Sequence, residues 1–394
     1  MRVLFLYDFP LWGSGSGTYI RKLSQELLRL NHAIGIVCPE TRRFLPDRIK
    51  QYRANPLQIP VFVGHPELPG AKRYSELSDR EITEIYKSYI DTTLDAVANF
   101  NPDIIHVHHL SLVSWVARYV SALRNIKYII TSHGSCLYAI LDDQRYLPLS
   151  ESAVKSAKAI TLVSSDSQIK FLQMFGKNYS KLTSVIPGGV DMGAFPSKLK
   201  VGLIDKKYKL KNKKMVLFTG RLISHKGVEY LIRAAKDIKG EVFIIGDGPE
   251  KHYLESLINS KKLKNVHLIG YLMGDEINKF YYRADIFVAP SVWDEPLGLT
   301  VLEAMASKTP VVATRKGGIP LLVKNGYNGL FVPAKNAQKI AWACNKLLNN
   351  EDLRKKMAEN ARKTVAEKFS WKKTALKFHY LYKKVRKNNK NERR

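Results

Sequence analysis

Two carboxylates near residue 300 frame a predicted helix start. Glu295 and Glu303 lie eight residues apart in the stretch DEPLGLTVLEAM. Pro296 can open a helix there, because the first turn of a helix needs no N–H from that residue. The backbone amides of residues 297–299 would then point out of a helix end, which carries a partial positive charge and suits a phosphate. The predicted binding residues of this stretch are Pro296, Leu297, Gly298 and Leu299.

Two cations in the stretch GRLISHKG are the second candidate part of this site. Arg221 and Lys226 lie between a predicted strand, MVLFTG, and a predicted helix, VEYLIRAAKDI. Arg can bind a diphosphate bidentately, and Lys acts as a point charge. Each charge-assisted hydrogen bond contributes about 1.5–3 kcal/mol. Because a carboxylate is unfavourable next to a phosphate, Glu295 is expected to accept hydrogen bonds from sugar hydroxyls instead.

The elements around these residues predict an α/β fold with parallel sheets. The continuous apolar run 286–288 is typical of a buried parallel strand, and strands alternate with helices along the chain. Ligands bind such sheets at the carboxyl ends of their strands. A chain of 394 residues exceeds what one core usually serves, so two domains are expected. The predicted parts are a first domain at 1–190, a lysine-rich solvated connector at 191–212, a second domain at 213–369, and a last helix with a basic tail at 370–394.

The first half of the chain has two candidate contacts at strand ends. The loop DFPLWGSGSG follows the first strand, and its glycines allow a ligand to approach the backbone closely. His133 ends the predicted strand KYIITSHG and precedes a glycine. Residues 40–80 show no clear hydrophobic period and are predicted to be irregular. The predicted contacts of the glycine-rich loop are Gly15, Ser16 and Gly17.

The motif EPLGLTVLEA, followed by TPVVAT and the turn GGIP, resembles the retaining nucleotide-sugar glycosyltransferases of the GT-B type. More narrowly, it resembles their family 4, which also has G-R-x4-K-G as found at 220–227. The resemblance implies two Rossmann-like, doubly wound domains facing each other across a cleft. The second domain would bind a nucleotide-diphosphate sugar, such as a UDP- or GDP-sugar, and the first would bind the acceptor. The last helix would return to pack on the first domain.

The resemblance also implies a role for each candidate residue. Arg221 and Lys226 would neutralise charge that grows on the leaving diphosphate. Glu295 would hold sugar hydroxyls, and Glu303 the ribose hydroxyls. His133 would orient the sugar and support positive charge near its anomeric carbon.

The implied reaction is transfer of a hexose to a hydroxyl of a glycan or lipid-linked acceptor, with retention at the anomeric carbon. The glycine-rich loop would face the donor diphosphate and the acceptor, and the loop Gly270 to Met273 would hold the nucleotide base. No D-x-D motif stands in a donor-site context, so neither a divalent metal nor another cofactor is expected. One departure is Leu321, which stands where many relatives have Glu after GGIP.

The net charge of +29 is the unusual bulk property of the chain. Basic excess attracts polyanions, which include nucleic acid, anionic lipid surfaces and phosphorylated substrates. No RNA- or DNA-binding motif accompanies the charge, so nucleic acid is not an expected partner. From Ser370 onward, ten Lys or Arg stand against one Glu, and this tail fits an anionic membrane surface.

A metal site and an exported protein are both disfavoured by the sequence. The three cysteines are scattered without metal spacing, which is typical of a reducing compartment. His106 and His108 share one face of a predicted strand, but His109 would point away from them. No signal peptide and no apolar run of about 20 residues is visible. A cytoplasmic protein is expected, with peripheral association at the inner face of the membrane as an option.

Three other functions stay open at this point. A soluble-acceptor synthase of the glycogen or sucrose-phosphate type shares the implied fold. A non-catalytic sugar-nucleotide binder would result from a degenerate first domain. A polyanion-binding protein would use the net charge of +29 itself.

Overall fold

The computed structural model of the protein describes residues 1–43, 48–62, 68, 70–196, 199, 201–272 and 274–391. The chain divides into two compact units. The first contains Met1–Gly188 and Trp371–Arg394, and the second contains Gly189–Ser370. Met273 of the predicted base-binding loop, and parts of the segment 40–80 that the sequence predicts to be irregular, lie outside the described residues.

The first unit is built on a parallel sheet whose described strands have the order β3-β2-β1-β4-β5-β6-β7. Its strands are β1 (Arg2–Tyr7), β2 (Ala33–Cys38), β3 (Ile49–Arg53), β4 (Ile104–His108), β5 (Tyr128–Ser132), β6 (Ile160–Leu162) and β7 (Thr183–Val185). Its helices are α1 (Gly15–Arg29), α2 (Asp79–Phe100), α3 (Leu112–Arg124), α4 (Ser135–Asp142), α5 (Leu147–Ser156), α6 (Ser165–Phe175) and, from the end of the chain, α15 (Trp371–Asn391). Every residue of β4 and β5 is buried, including His106, His108 and the polar end of β5, so both faces of these strands are covered.

The second unit has a parallel sheet with the order β10-β9-β8-β11-β12-β13 in its described residues. Its strands are β8 (Met215–Thr219), β9 (Glu241–Ile245), β10 (Val266–Gly270), β11 (Ile286–Ala289), β12 (Val311–Thr314) and β13 (Gly329–Val332). Its helices are α7 (Gly202–Tyr208), α8 (Val228–Ala235), α9 (Lys251–Ser260), α10 (Asp275–Arg283), α11 (Leu299–Ala306), α12 (Ile319–Leu322), α13 (Ala337–Leu348) and α14 (Glu351–Lys368). The strand order reverses at β8, between β9 and β11, and ligands bind beside such a reversal in open α/β sheets.

Two polar segments are more regular than the sequence predicts. Segment 40–80 contains β3, which pairs in parallel with β2 at the edge of the sheet. Only Ile49 of this strand is buried, so it has no apolar period to detect. The connector 191–212 belongs to the second unit and contains α7, of which only Ile204 is buried. Asp205 accepts a hydrogen bond from Arg283, and this contact fixes α7 to the rest of the unit.

Helix α15 packs on the first unit through the apolar stripe seen in the sequence. The Tyr382 hydroxyl lies 2.7 Å from His106 Nδ1, and the Trp371 ring packs against the Tyr19 ring with centroids 5.2 Å apart. The buried residues of the stripe are Trp371, Ala375, Phe378, Tyr382 and Val385. The helix therefore completes the core of a unit whose other residues lie nearly 200 positions earlier in the chain.

Candidate functional site

A partly buried ion pair joins the cationic loop of the second unit to the EPLG segment. Lys226 Nζ lies 2.6 Å from Glu295 Oε1, and Ser291 Oγ donates to the same oxygen at 2.6 Å. Lys226 ends a 3-10 turn after β8, and Glu295 lies in the loop after β11. Strands β8 and β11 are neighbours and parallel, so these two loops leave the sheet at the same edge. The predicted residues Lys226 and Glu295 are thus brought together.

The electrostatics of this pair keep Glu295 ionised. Burial raises the pKa of the Glu295 carboxyl, but the charge and hydrogen bond of Lys226, with the Ser291 hydroxyl, outweigh it and bring the pKa below the ordinary value. Only 6% of Glu295 is exposed, whereas the Lys226 side chain is 26% exposed. The Lys226 ammonium therefore contacts the carboxylate while part of its side chain stays exposed and can contact an anion.

Glycines allow the Lys226 loop and the GGIP turn to contact the backbone of the loop after β11 closely. A Cβ on Gly227 would lie 2.2 Å from the Pro290 carbonyl oxygen, and one on Gly317 would lie 2.2 Å from the Glu295 carbonyl oxygen. The Gly318 amide donates to that same Glu295 oxygen at 2.6 Å. The GGIP turn is thus packed directly on the backbone of residues 294–297.

The helix after Glu295 begins later than predicted. Pro296 does not open it: α11 begins at Leu299, with Gly298 as the residue before its first turn. Gly298 has φ of +96°, which breaks helical geometry, and Gly318 packs against the backbone of Pro296 and Leu297. The segment 295–298 is therefore held as a loop against the GGIP turn.

The backbone amides of residues 297–299 still face away from protein acceptors. Among the described residues, no hydrogen bond is made by the amides of Leu297, Gly298 or Leu299. Leu299 is the first residue of α11, so its amide also lies at the positive end of a helix. These groups lie within a few residues of the Lys226–Glu295 pair.

Glu303 lies on α11 in a chain of hydrogen bonds. Its Oε2 accepts from the Tyr281 hydroxyl at 2.8 Å, and that hydroxyl lies 2.6 Å from Thr219 Oγ1. Thr219 is the last residue of β8, so Glu303 faces the same strand edge as Arg221 and Lys226. Burial raises the pKa of the Glu303 carboxyl to about 7, because the Tyr281 hydroxyl is its one stabilising hydrogen-bond donor.

Arg221 is half-buried and lies two residues beyond the end of β8, after Gly220. Burial lowers the pKa of its guanidinium, which nevertheless stays charged at neutral pH. Gly220, just before it, lies against Gly246 of the turn after β9, where a Cβ on Gly246 would be 1.8 Å from the Gly220 carbonyl oxygen.

Leu321 lies on α12, beside the GGIP turn, and is 37% exposed.

The glycine-rich segment of the first unit is a helix start instead of a loop. Helix α1 begins at Gly15, and Ser14 caps it by accepting from the Gly17 amide at 3.0 Å. Ser16 therefore lies in the first turn and does not cap the helix; its hydroxyl is 2.8 Å from the Tyr7 hydroxyl. A Cβ on Gly17 would be 2.4 Å from the Leu11 carbonyl oxygen, which explains the need for glycine there.

His133 lies in a cluster of four buried imidazoles at the ends of β4 and β5. Its Nε2 is 3.1 Å from His108 Nδ1, and its ring centroid is 4.8 Å from that of His109. Burial lowers the pKa of His133 to about 3, so the imidazole is neutral at physiological pH. Both ring nitrogens of His106 are hydrogen-bonded, to Tyr382 and Thr131, which indicates a structural role.

A cluster that the sequence analysis missed surrounds His109. This residue has φ of +89°, which is rare outside glycine, and both of its ring nitrogens lack a hydrogen-bond partner among the described residues. Asp8 accepts from the Tyr74 hydroxyl at 2.6 Å through Oδ2. Burial raises the pKa of the Asp8 carboxyl to about 6, although the Ser111 and Tyr74 hydroxyls act to lower it. Asp8 and Ser111 follow β1 and β4, which are neighbouring parallel strands. Ligands bind open α/β sheets at the carboxyl ends of such strands, so the position of these two residues is the sequence signal that could have identified the cluster.

Across the described residues, no group of three or more His, Cys, Asp or Glu side chains is placed to hold a metal ion. In the same residues, no helix combines the length and apolar character that crossing a bilayer requires.

Two family models match the chain, one in each half. Residues 13–193 match the model described as Glycosyltransferase Family 4, and residues 202–364 match the model described as Glycosyl transferases group 1. The second match contains the Lys226–Glu295 pair, Glu303 and the start of α11.

Similar proteins cover almost the whole chain. An uncharacterized glycosyltransferase of Methanocaldococcus jannaschii is 30% identical, and the match covers 94% of each chain. Among solved structures, sucrose-phosphate synthase of Thermosynechococcus elongatus has a TM-score of 0.79 at 22% identity, covering 98% of this chain and 99% of the other. HepE of Anabaena, in complex with UDP-glucose, has a TM-score of 0.78 at 20% identity, covering 98% of this chain and all of the other.

Proposed function

The chain is a glycosyltransferase of family 4 with the GT-B fold, and we propose that it moves a hexose from a nucleotide-diphosphate sugar to an acceptor hydroxyl. The proposed reaction retains the configuration at the anomeric carbon and uses no metal. A UDP- or GDP-sugar is the proposed donor, and UDP-glucose in the HepE complex supports the first of these. A glycan or lipid-linked molecule is the proposed acceptor.

The observation that carries this proposal is the Lys226–Glu295 pair beside the amides of residues 297–299. One cation and several N–H groups that lack protein partners suit a phosphate group. The ionised carboxylate between them suits sugar hydroxyls, which donate to it. A site with both features fits a molecule that has a diphosphate and a sugar side by side.

The family resemblance and this arrangement support the following roles for residues of the second unit. Arg221 and Lys226 stabilise charge that develops on the leaving diphosphate, so they contribute most in the transition state. The helix-end amides add to this stabilisation. Glu295 accepts from hydroxyls of the transferred sugar, and Glu303, about two turns along, accepts from the ribose. In a front-face attack the leaving phosphate takes the proton of the acceptor hydroxyl, so no protein base is required.

The acceptor side belongs to the first unit in this proposal. His109 offers two buried ring nitrogens that lack a hydrogen-bond partner among the described residues, and a buried polar atom normally has one. The buried Asp8 and Ser111 side chains follow the neighbouring strands β1 and β4. Acceptor hydroxyls would supply the missing hydrogen bonds. The role of His133 toward the transferred sugar stays a prediction, although its neutral imidazole is able to act as a hydrogen-bond partner.

A thermal-shift panel of UDP-, GDP- and ADP-sugars tests the donor part of the proposal. One nucleotide class should raise the melting temperature, and added EDTA should leave the shift unchanged. A radiolabelled form of that donor should then label lipid-linked acceptors in membranes. Label transferred to soluble sugars would instead favour a synthase of the sucrose-phosphate or glycogen type. Activity that disappears with chelator and returns with Mg²⁺ or Mn²⁺ would contradict metal independence.

Asp8→Asn tests the acceptor part separately. The amide keeps the size of the carboxylate but accepts fewer hydrogen bonds, so sugar transfer should fall at least tenfold, in line with about 1.5 kcal/mol for one charge-assisted bond. Donor binding by the second unit should be unchanged. Asp95→Asn, on the solvent side of α2, is the matched control, and equal transfer by both variants would remove Asp8 from the acceptor site.

A further inference from the structure

Much of the positive charge of the second unit lies at the edge of its sheet opposite the candidate donor site. The segments 206–214, 236–240 and 261–265 precede the neighbouring parallel strands β8, β9 and β10, and therefore meet at the amino ends of those strands. These three segments contain eleven lysines, no arginine and one carboxylate, Asp237. Arg221 and Lys226, in contrast, follow the carboxyl end of β8.

Ten of these lysines are exposed, and together they define what we call the lysine face. They are Lys206, Lys207, Lys209, Lys211, Lys213, Lys236, Lys239, Lys261, Lys262 and Lys264. Lys213 pairs with Glu241 at 2.7 Å. In the described part of the chain, no carboxylate lies within ion-pair distance of the other nine, so their charge is not neutralised internally.

Backbone and side-chain hydrogen bonds join the three segments into one surface. The Glu241 amide donates to the Lys214 carbonyl at 2.8 Å, which joins the first segment to the second. Asn265 Nδ2 donates to the Gly240 carbonyl at 3.0 Å, which joins the second to the third. The lysine face is therefore a continuous feature of the folded unit and not a set of independent flexible tails.

An exposed tryptophan lies next to the lysine face. Trp342 on α13 is 54% exposed, and its ring lies 5.7 Å from Lys339 Nζ and 5.1 Å from Lys346 Nζ. One turn later, Asn345 Nδ2 donates to the Asp237 carbonyl at 2.7 Å, and Asn345 Oδ1 accepts from the Lys239 amide at 2.8 Å. On α7, Leu203 is 72% exposed and stands at i, i+3 and i+4 spacing with Lys206 and Lys207.

We propose that the lysine face is a docking surface for an anionic lipid bilayer. Lysines act as point charges on flexible stems, which suits a diffuse layer of lipid phosphates. Nucleic-acid sites rely instead on arginine forks and on aromatic rings that stack bases, and the three segments have no arginine. An exposed indole flanked by lysines is typical of side chains at a membrane interface, where the ring enters the headgroup layer.

This surface would keep the donor-binding edge of the second unit away from the bilayer it docks on, because the two lie at opposite ends of the same strands. The edge with Lys226 and the α11 start would remain open to a soluble nucleotide sugar. The inference does not depend on which sugar is transferred, so it can fail without affecting the proposed function.

Vesicle co-sedimentation of the full chain tests the proposal. Vesicles of phosphatidylcholine mixed with phosphatidylglycerol should bind the protein, while vesicles of phosphatidylcholine alone should not, and added salt should weaken the binding. The test variant reverses four exposed charges on the face and should partition at least about tenfold less. Its substitutions are Lys211→Glu, Lys236→Glu, Lys239→Glu and Lys264→Glu.

A matched control has the same net charge and should bind vesicles like the unmodified chain. Its substitutions, all at exposed lysines of the first unit, are Lys155→Glu, Lys158→Glu, Lys177→Glu and Lys181→Glu. Equal loss in both variants would mean that only net charge matters and would overturn the proposal. If removal of residues 388–394 abolished binding while the face variant still bound, the contact would belong to the basic tail and the proposal would be overturned. Homopolymeric RNA that binds through the face more tightly than anionic vesicles would identify a nucleic-acid surface instead.

Trp342 provides a second readout. Its fluorescence should shift to shorter wavelength when anionic vesicles are added, because the indole leaves water. Trp342→Phe should still bind vesicles but lose that shift, since the other four tryptophans are elsewhere in the chain. A shift that persists in Trp342→Phe would place the contact at another surface and contradict the proposal.

Discussion

Glu295 and Glu303 have opposite pKa shifts although they lie eight residues apart on the same segment. Burial raises the pKa of both, but Lys226 lies 2.6 Å from Glu295 and brings its pKa below the ordinary value. Glu303 has a hydroxyl as its donor and no cation, so its pKa stays raised, at about 7. One carboxylate is thus fixed in its charged form, whereas the other titrates near physiological pH.

Donor affinity should depend on the protonation of Glu303. A protonated carboxyl accepts fewer hydrogen bonds from ribose hydroxyls, so binding of UDP-glucose should weaken as the pH falls through about 7. The folded chain also binds this proton more tightly than the unfolded chain does. The stabilisation that this proton gives to the folded chain is therefore complete below the ordinary Glu pKa of 4.5, and it is lost as the pH rises through about 7.

Calorimetric titration with UDP-glucose at several pH values checks this expectation. Glu303→Gln should bind weakly at every pH and lose the dependence. Tyr281→Phe removes the hydrogen bond that lowers the pKa of Glu303, so it should move the midpoint to higher pH. Unchanged affinity across the range in the unmodified chain would show that Glu303 does not contact the donor.

The Lys226–Glu295 pair should be coupled in stability. Lys226→Met leaves a buried carboxylate without its cation and should cost about 2 kcal/mol of the free energy of unfolding. Lys226→Met with Glu295→Gln removes both charges and should recover much of that loss. Urea unfolding of the two single variants and the double variant measures the coupling, and purely additive effects would argue against a direct pair.

At the scale of elements, the buried parts were predictable and the contacts between loops were not. A strand such as β11 is a continuous apolar run because both of its faces are covered, and the sequence alone identifies it. The polar edge strand β3 has one buried residue, so periodicity gives no signal. The start of α11 depends on Gly317 and Gly318 packing against residues 295–297, a contact twenty residues away that no local pattern encodes.

Gly317→Ala should disturb the site more than a similar substitution elsewhere. The new Cβ would lie 2.2 Å from the Glu295 carbonyl oxygen, so the Glu295 loop would have to move. Gly326→Ala is the matched control, because Gly326 also has positive φ but has open space around its Cβ position. The control should lose about 1 kcal/mol from backbone strain alone, and Gly317→Ala should lose more. Equal melting temperatures for the two variants would contradict the packing described for the GGIP turn.

At the scale of the whole molecule, the motifs predicted the candidate residues of the second unit but missed part of those in the first unit. The donor motif residues Arg221, Lys226, Glu295 and Glu303 all lie in the second unit, at the edge where β8 and β11 end. The buried cluster around His109 in the first unit was missed, because its significance rests on unpaired polar atoms and a positive φ, which only coordinates show. The sequence predicts that the lysines of 206–212 belong to a solvated connector, whereas they belong to a folded surface with two other segments.

The central claim is that the Lys226 loop and the start of α11 bind the donor diphosphate, and a calorimetric comparison of two lysine variants tests it most directly. Lys226→Gln should weaken binding of the nucleotide sugar by about 10- to 100-fold, the equivalent of one charge-assisted bond, while Lys356→Gln on the exposed side of α14 should bind like the unmodified chain. Equal dissociation constants for both variants, or no binding of any nucleotide sugar by the unmodified chain, would contradict the account.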